Sequence, residues 1–269
     1  MEIADLHTHT YLCRHAEGSP EEFLDAALAR GERWYGISDH CPWTDGFDTG
    51  YRMTVGEFPL YREIVRQMRQ RAGGTSLKVL YAMELDYIPG QKDSIQNAFK
   101  DEPFDYLIGS IHQTEFFPFD NPEFLDEWKK EGFAEHIWEV YVNYLKDYVT
   151  NWDFQIIGHC DIPKKFGYKP VMSETFLNSM REIFETASAR GIALELNANG
   201  LHTPAKEIYP SMQLLKLANK AGMNITYGSD AHTPGAVGRD FELVLALAKE
   251  CGFRQFVTFE QKKMIPIPF

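Results

Sequence analysis

The sequence predicts an α/β barrel of seven or eight strands, and three observations lead there. Short strand-like apolar runs alternate with helix-like stretches, the pattern of a sheet with parallel strands. The 269 residues suit one barrel of roughly 250 residues or two small domains, and no composition shift or Pro/Gly/Ser-rich linker divides them. Histidines and carboxylates also follow nearly every apolar run. An open doubly wound sheet offers one crevice, whereas in a barrel all strand ends converge on one mouth.

Each element has a local reason. Strand 2–6 leads to Ser19-Pro20-Glu21-Glu22. There Ser19 supplies an N-cap, Pro20 occupies the first helical position, and acids fill the first turn of a helix near 20–30 that Gly31 stops. Strand 34–38 precedes a helix near 54–72, strand 78–85 one near 92–100, and strand 106–110 one near 123–150. Strand 154–158 precedes a helix near 173–190, capped by Ser173 and ended by Gly191. Strand 193–196 precedes a helix near 210–221 that Gly222 closes. Strand 224–228 precedes a helix near 239–251, and 255–258 is the last strand candidate. Segments 41–53 and 113–122, rich in Pro, Asp and aromatics without a clear period, are expected as loops at the barrel mouth.

Composition narrows the function classes. An apolar fraction of 44% with 25% charged residues is that of a globular protein and argues against disorder. The net charge of −12 disfavours nucleic acid, which needs a basic track. It leaves an anionic substrate open, because divalent ions would reverse the local field. Cys13, Cys41, Cys160 and Cys251 form no CxxC pair, so neither a zinc ribbon nor a disulfide framework is indicated. The N-terminus lacks a charged segment followed by an apolar one, and no apolar run approaches the roughly 18 residues of a membrane span. A reduced, cytoplasmic protein is the expectation.

Seven of the nine histidines fall just after apolar runs. They occur in Asp5-Leu6-His7-Thr8-His9, His15, Ser38-Asp39-His40, Ser110-Ile111-His112, Gly158-His159-Cys160-Asp161 and Ser229-Asp230-Ala231-His232. His7 and His9 are two apart at a strand end, so both side chains face one way. Asp230 and His232 share that spacing. Glu84 closes another apolar run, where a carboxylate can bridge two ions. Imidazole with carboxylate suits zinc, iron or manganese rather than calcium. A single HxH is a weak signal and is commonly no more than surface alternation. The recurrence at successive strand ends indicates a metal site. His136, in mid-helix, reads as structural.

On these motifs the chain resembles the polymerase-and-histidinol-phosphatase (PHP) superfamily, and within it the histidinol-phosphate phosphatases. The branch is carried by Leu12-Cys13-Arg14-His15, by Met83-Glu84-Leu85-Asp86-Tyr87-Ile88-Pro89-Gly90, and by Glu195-Leu196-Asn197 continuing through Ala198-Asn199-Gly200-Leu201 to Tyr209-Pro210-Ser211. The resemblance implies one domain over residues 1–269, a distorted TIM-like (β/α)7 barrel, and three divalent ions (Zn, Fe or Mn). His7, His9, Glu84 and Asp230 would hold the first ion. Glu84, His112 and His159 would hold the second, and His15, His40 and His232 the third. All nine positions carry the residue type the pattern asks for.

The chemistry expected from such a centre is phosphoryl transfer, since paired metals clamp phosphoryl oxygens and lower the pKa of bound water. The expected reaction is hydrolysis of L-histidinol phosphate, a step of histidine biosynthesis, with hydroxide held between two ions as nucleophile. Glu84 and Asp230 would support catalysis directly. Asp161 is a candidate for proton management, or equally for orienting a ligand histidine. Lys164 and Lys165 are candidates for phosphate contact, and so is His202, which stands where the branch commonly has arginine. Neither lysine nor histidine supplies arginine's bidentate fork, and Arg14 and Arg239, each beside a ligand motif, are placed to compensate. Glu115, Asp120, Asp45 and Trp43 are candidates for reading the amine and imidazole. The partner is a small phosphomonoester, with neither nucleic acid nor membrane. Alternatives are a PHP-type phosphatase or phosphodiesterase for another small phosphorylated metabolite, a non-catalytic metal-binding module, and a deaminase-like barrel.

Overall fold

The apolar runs pair as a parallel sheet in strict sequence order: β1 (Ala4–Asp5), β2 (Trp34–Ile37), β3 (Lys78–Asp86), β4 (Tyr106–Ser110), β5 (Ile156–Ile157), β6 (Ala193–Asn197) and β7 (Ile225–Gly228). The computed structural model describes residues 2–46, 48–115 and 117–269. Phe47 and Phe116, inside the two expected mouth loops, lie outside the described residues. The crossovers carry α1 (Pro20–Arg30), α2 (Phe58–Arg71), α3 (Lys92–Ala98), α4 (Phe133–Asn151), α5 (Glu174–Ala189) and α6 (Met212–Lys220), and α7 (Phe241–Glu250) follows β7. The sheet curls back on itself. Leu6 N donates to Tyr227 O at 3.0 Å, and His9 N to Ala231 O at 3.0 Å, joining the first strand to the last. The result is a nearly closed (β/α)7 barrel.

Local chemistry sets the boundaries. Ser19 and Glu22 form a reciprocal capping box at the start of α1, and Gly31 ends that helix in the left-handed region at φ 73°. Ser173 caps α5 through Phe176 N. The expected helix 123–150 begins later. Gly132 sits at φ 76°, which no α-helix interior tolerates, and the chain before it forms short 3-10 turns at Pro122–Phe124 and Glu127–Lys129. Inside the barrel, Tyr106 spans from β4 and donates its hydroxyl to Leu6 O at 2.6 Å. A Cβ at residue 36 would collide with that hydroxyl, so β2 carries Gly36 there.

The eighth strand candidate does not join the barrel. It is β8 (Gln255–Glu260), which pairs antiparallel with β9 (Lys263–Pro268) through a two-residue turn. Gln261 and Lys262 have φ 50° and 64°, the left-handed pair that a tight hairpin requires. Pro266 and Pro268 lack ladder donors and fit only an edge strand. The hairpin lies across the N-terminal ends of the barrel strands. Glu260 meets Lys78 Nζ at 2.5 Å, and Gln261 N donates to Asp105 Oδ1 at 3.0 Å. The C-terminal mouth is left open, the end where barrel sites are built. No described helix is long and apolar enough to cross a membrane.

Candidate metal centre

Seven histidines, Glu84 and Asp230 meet at that mouth. Register brings them there. His40 bridges to Glu84 across β2 and β3, with Glu84 N on Asp39 O at 3.0 Å, and Thr8 bridges to Ala231 across the closing seam. Glu84 is wholly buried at the centre. Its Oε1 lies 3.0 Å from His159 Nε2 and 3.4 Å from His112 Nε2. Its Oε2 lies 2.8 Å from His40 Nδ1, 3.4 Å from His7 Nε2 and 3.7 Å from His9 Nε2. Asp230, in the left-handed region at φ 53°, sets Oδ1 3.1 Å from His9 Nε2. The ring of His232 stacks on His9 at 4.1 Å and on His15 at 4.6 Å.

These donors fit divalent ions. The triads His7–His9–Asp230, His7–Glu84–His159 and His9–His40–His232 each place their ligand atoms within 4.8 Å of one another. His7 Nε2, His40 Nδ1, Glu84 Oε2 and His232 Nε2 are buried without a hydrogen bond. His40 Nδ1 and Glu84 Oε2 lie 2.8 Å apart, close enough for one but misaligned. Buried polar atoms left unpaired are costly, and divalent ions held by these triads would relieve them. His15 stands at the edge, with Nδ1 2.7 Å from Cys13 O.

The electrostatics are those of a cluster in mutual charge balance. Burial alone would raise the Glu84 carboxyl, but His7, His40 and His112 hold it well below the usual carboxylate range. Burial lowers His40 to about 4, and it lowers His232 as well. Burial acts the same way on His9, yet hydrogen bonds to Asp230 and Asp39 lift it to about 9.

A ring of carboxylates and amides orients the imidazoles. Glu195 takes His7 Nδ1 on Oε1 at 2.6 Å and His159 N on Oε2 at 2.7 Å. Asp86 Oδ1 holds His112 Nδ1 at 2.5 Å, Asp39 Oδ1 faces His9 Nδ1 at 3.4 Å, and Asn197 and Asn199 each donate to Asp230 Oδ2 at 3.2 Å. Such partners fix the tautomer, leaving Nε2 free to ligate. Sequence reasoning gave them no role, although each lies within two positions of a ligand or of another member of this ring. A Cβ at residue 228 would strike Glu195 Oε1, so Gly228 is required where β7 passes this ring.

The expected substrate contacts divide. A cavity of about 680 Å³ lies over the cluster, and Lys165, Arg239, Asp120 and Trp43 line it. Lys164, Asp161, Arg14, His202 and Glu115 do not. Lys164 is buried, with Nζ 2.8 Å from Asp161 Oδ2 and 2.8 Å from Ile208 O, so its charge is committed to the fold rather than to phosphate. Asp161 also accepts Ser211 N at 2.8 Å and does not line the cavity, and among the described residues no hydrogen bond joins it to a ligand histidine. Arg14 pairs with Glu57 on the surface. His202 Nε2 pairs with Asp240 at 2.6 Å, and Glu115 with His136 at 3.0 Å, both largely exposed. His136 is therefore a surface residue of α4.

Comparison with known proteins agrees with this geometry. The PHP domain model matches residues 5–199. A probable histidinol-phosphatase of Deinococcus radiodurans is 33% identical over 264 residues, spanning 98% of this chain and 99% of that protein. A histidinol-phosphatase of Lactococcus lactis is 25% identical over 98% of this chain and 97% of its own length. A crystal structure of histidinol phosphate phosphatase from Lactococcus lactis, complexed with zinc, L-histidinol and phosphate, superposes with a TM-score of 0.81. It is 22% identical and covers 98% of this chain and 99% of its own. The chain belongs to the PHP domain family.

Proposed function

We propose that this chain is a metal-dependent phosphomonoesterase hydrolysing L-histidinol phosphate to L-histidinol and phosphate. The observation that carries the reading is the convergence of seven histidines on the buried Glu84 and Asp230, beneath a cavity sized for a small metabolite. The ligand sets are His7, His9, Glu84 and Asp230 for one ion, Glu84, His112 and His159 for a second, and His15, His40 and His232 for a third. Zinc, iron and manganese suit these donors. Divalent ions there would polarise the phosphoryl oxygens and lower the pKa of a bound water.

The chain's own residues bind and orient. Glu84 presents one oxygen to each side of the cluster, which fixes the separation of two ligand sets. Glu195, Asp86 and Asp39 hold the imidazoles with Nε2 inward. Lys165 and Arg239 place positive charge on the cavity wall, where phosphate needs it. Residues 1–269 act as one catalytic unit in this reading. The four cysteines are free and buried, in keeping with the reduced cytoplasm.

A second reading, a different small phosphomonoester, is favoured by His202 and Lys164 lying away from the cavity. Phosphate release from metal-loaded protein decides between the two. Preference for histidinol phosphate over other small phosphomonoesters supports the first. Activity no better than on a generic aryl phosphate leaves only a PHP-type phosphatase.

A further inference from the structure

We infer that Asp120 is the subsite for the substrate's ammonium group, and that Lys165 is the cation this ammonium displaces. The inference rests on the histidinol-phosphate reading. Besides the metal-site residues, the charged side chains of the cavity among the described residues are Asp48, Arg52, Asp120, Lys165 and Arg239. Arg52 is consumed by Asp86 and Asp48, the latter at 2.9 Å, and this pairing neutralises Asp48 in turn. Arg239 donates to Asn199 Oδ1 at 2.6 Å.

Asp120 differs from these. Its carboxylate lies 3.5 Å from Lys165 Nζ, while the hydrogen bond from that ammonium goes to the main-chain carbonyl of Asp120 at 2.8 Å. The pair is partly exposed, and loose ion pairs of this kind exchange readily. Burial pushes the Asp120 carboxyl up, but Lys165, followed by His112, His159 and His40, more than reverses it. Asp120 and Lys165 line the same cavity as His112, His159 and His40. In histidinol phosphate the amine stands on the carbon next to the one bearing the ester oxygen. A phosphate over the cluster therefore carries its ammonium beside the ester, within the cavity that Asp120 lines. Lys165, released, stays on the wall of the same cavity.

The test compares metal-loaded wild type and Asp120→Asn on L-histidinol phosphate and on its des-amino analogue, 3-(imidazol-4-yl)propyl phosphate. A charge-assisted hydrogen bond predicts a loss of about 10–100-fold in kcat/KM for the amine substrate. The des-amino ester should change little. Inhibition by L-histidinol should weaken in parallel, while inhibition by inorganic phosphate holds. An equal loss on both esters, or no loss on either, overturns the subsite. Should the variant lose metal or melt early, wild type alone decides: indifference to the amine refutes the proposal, and a preference of that size supports it. Failure of wild type to act on either imidazole ester better than on an aryl phosphate overturns the parent reading instead.

Discussion

Glu195→Gln isolates the orienting shell from the ligands themselves. The carboxylate accepts from His7 Nδ1 at 2.6 Å on one oxygen, and from His159 N at 2.7 Å and Asn197 Nδ2 at 3.2 Å on the other. Glutamine has the same shape but a single acceptor. If its oxygen keeps His159 and Asn197, its amide turns two donors toward His7 Nδ1. His7 must then carry its proton on Nε2, the atom aimed at Glu84 and Asp230. Loss of such an orienting partner costs about 10–100-fold in metal affinity, or roughly 1.4–2.7 kcal/mol. Competition between protein and a chromophoric chelator for zinc measures this directly, and nitrogen NMR of labelled histidine reports the tautomer. Zinc affinity equal to wild type, with the His7 tautomer unchanged, would refute the reasoning. Thermal unfolding of the metal-free proteins is the control, because Gln fills the same space beside Gly228.

Three further outcomes are expected. His9→Ala and Glu84→Gln each abolish phosphate release while circular dichroism and the cooperative melt persist; full turnover in either variant, or in metal-free wild type, contradicts the site. Lys164→Met leaves Asp161 buried without its cation, so denaturant titration should show about 3–5 kcal/mol less stability, whereas a phosphate-binding lysine on the surface would cost almost none. Glu32 has both carboxylate oxygens buried without a hydrogen bond, and burial next to Asp5 raises its pKa well above normal. A raised acid contributes stability that is intact below the unfolded value near 4.5 and is lost as pH climbs through the folded value. Glu32→Gln should therefore melt about 2–4 °C higher at neutral and alkaline pH and converge with wild type in acid; parallel melting curves across the whole pH range would count against it.

The parts of the molecule legible in the sequence are those where a local signal and its structural consequence coincide. Seven apolar runs and their crossover helices became the barrel, because capping at Ser19 and Ser173 and stops at Gly31 and Gly191 act through neighbours in the chain. Most of the nine ligand positions stood out because they lie at or just after the end of a strand, and parallel strands bring such positions to one end; His15, after the 3-10 turn Tyr11–Cys13, was picked out by its motif. What escaped was set by contacts distant in sequence. Lys164 beside Asp161 reads as a basic loop until Ile208 O and Ser211 N are brought to the same pair. His202 faces Asp240, and Arg14 faces Glu57, partners no spacing rule connects to them. Glu195, Asp86 and Asp39 lay within the recognised motifs, but only folding shows which imidazole each one turns. β9 had no counterpart among the strand candidates, and edge pairing in a hairpin makes its prolines tolerable.

The central claim is that the clustered histidines and carboxylates serve hydrolysis of one particular phosphate ester. Steady-state phosphate release by metal-loaded protein, with L-histidinol phosphate and p-nitrophenyl phosphate measured side by side, tests it most directly. A site built to recognise the amine and imidazole predicts a kcat/KM at least about 100-fold higher for histidinol phosphate, lost on metal removal and restored by zinc or manganese. Equal values for the two esters, or turnover that persists without metal, would contradict it.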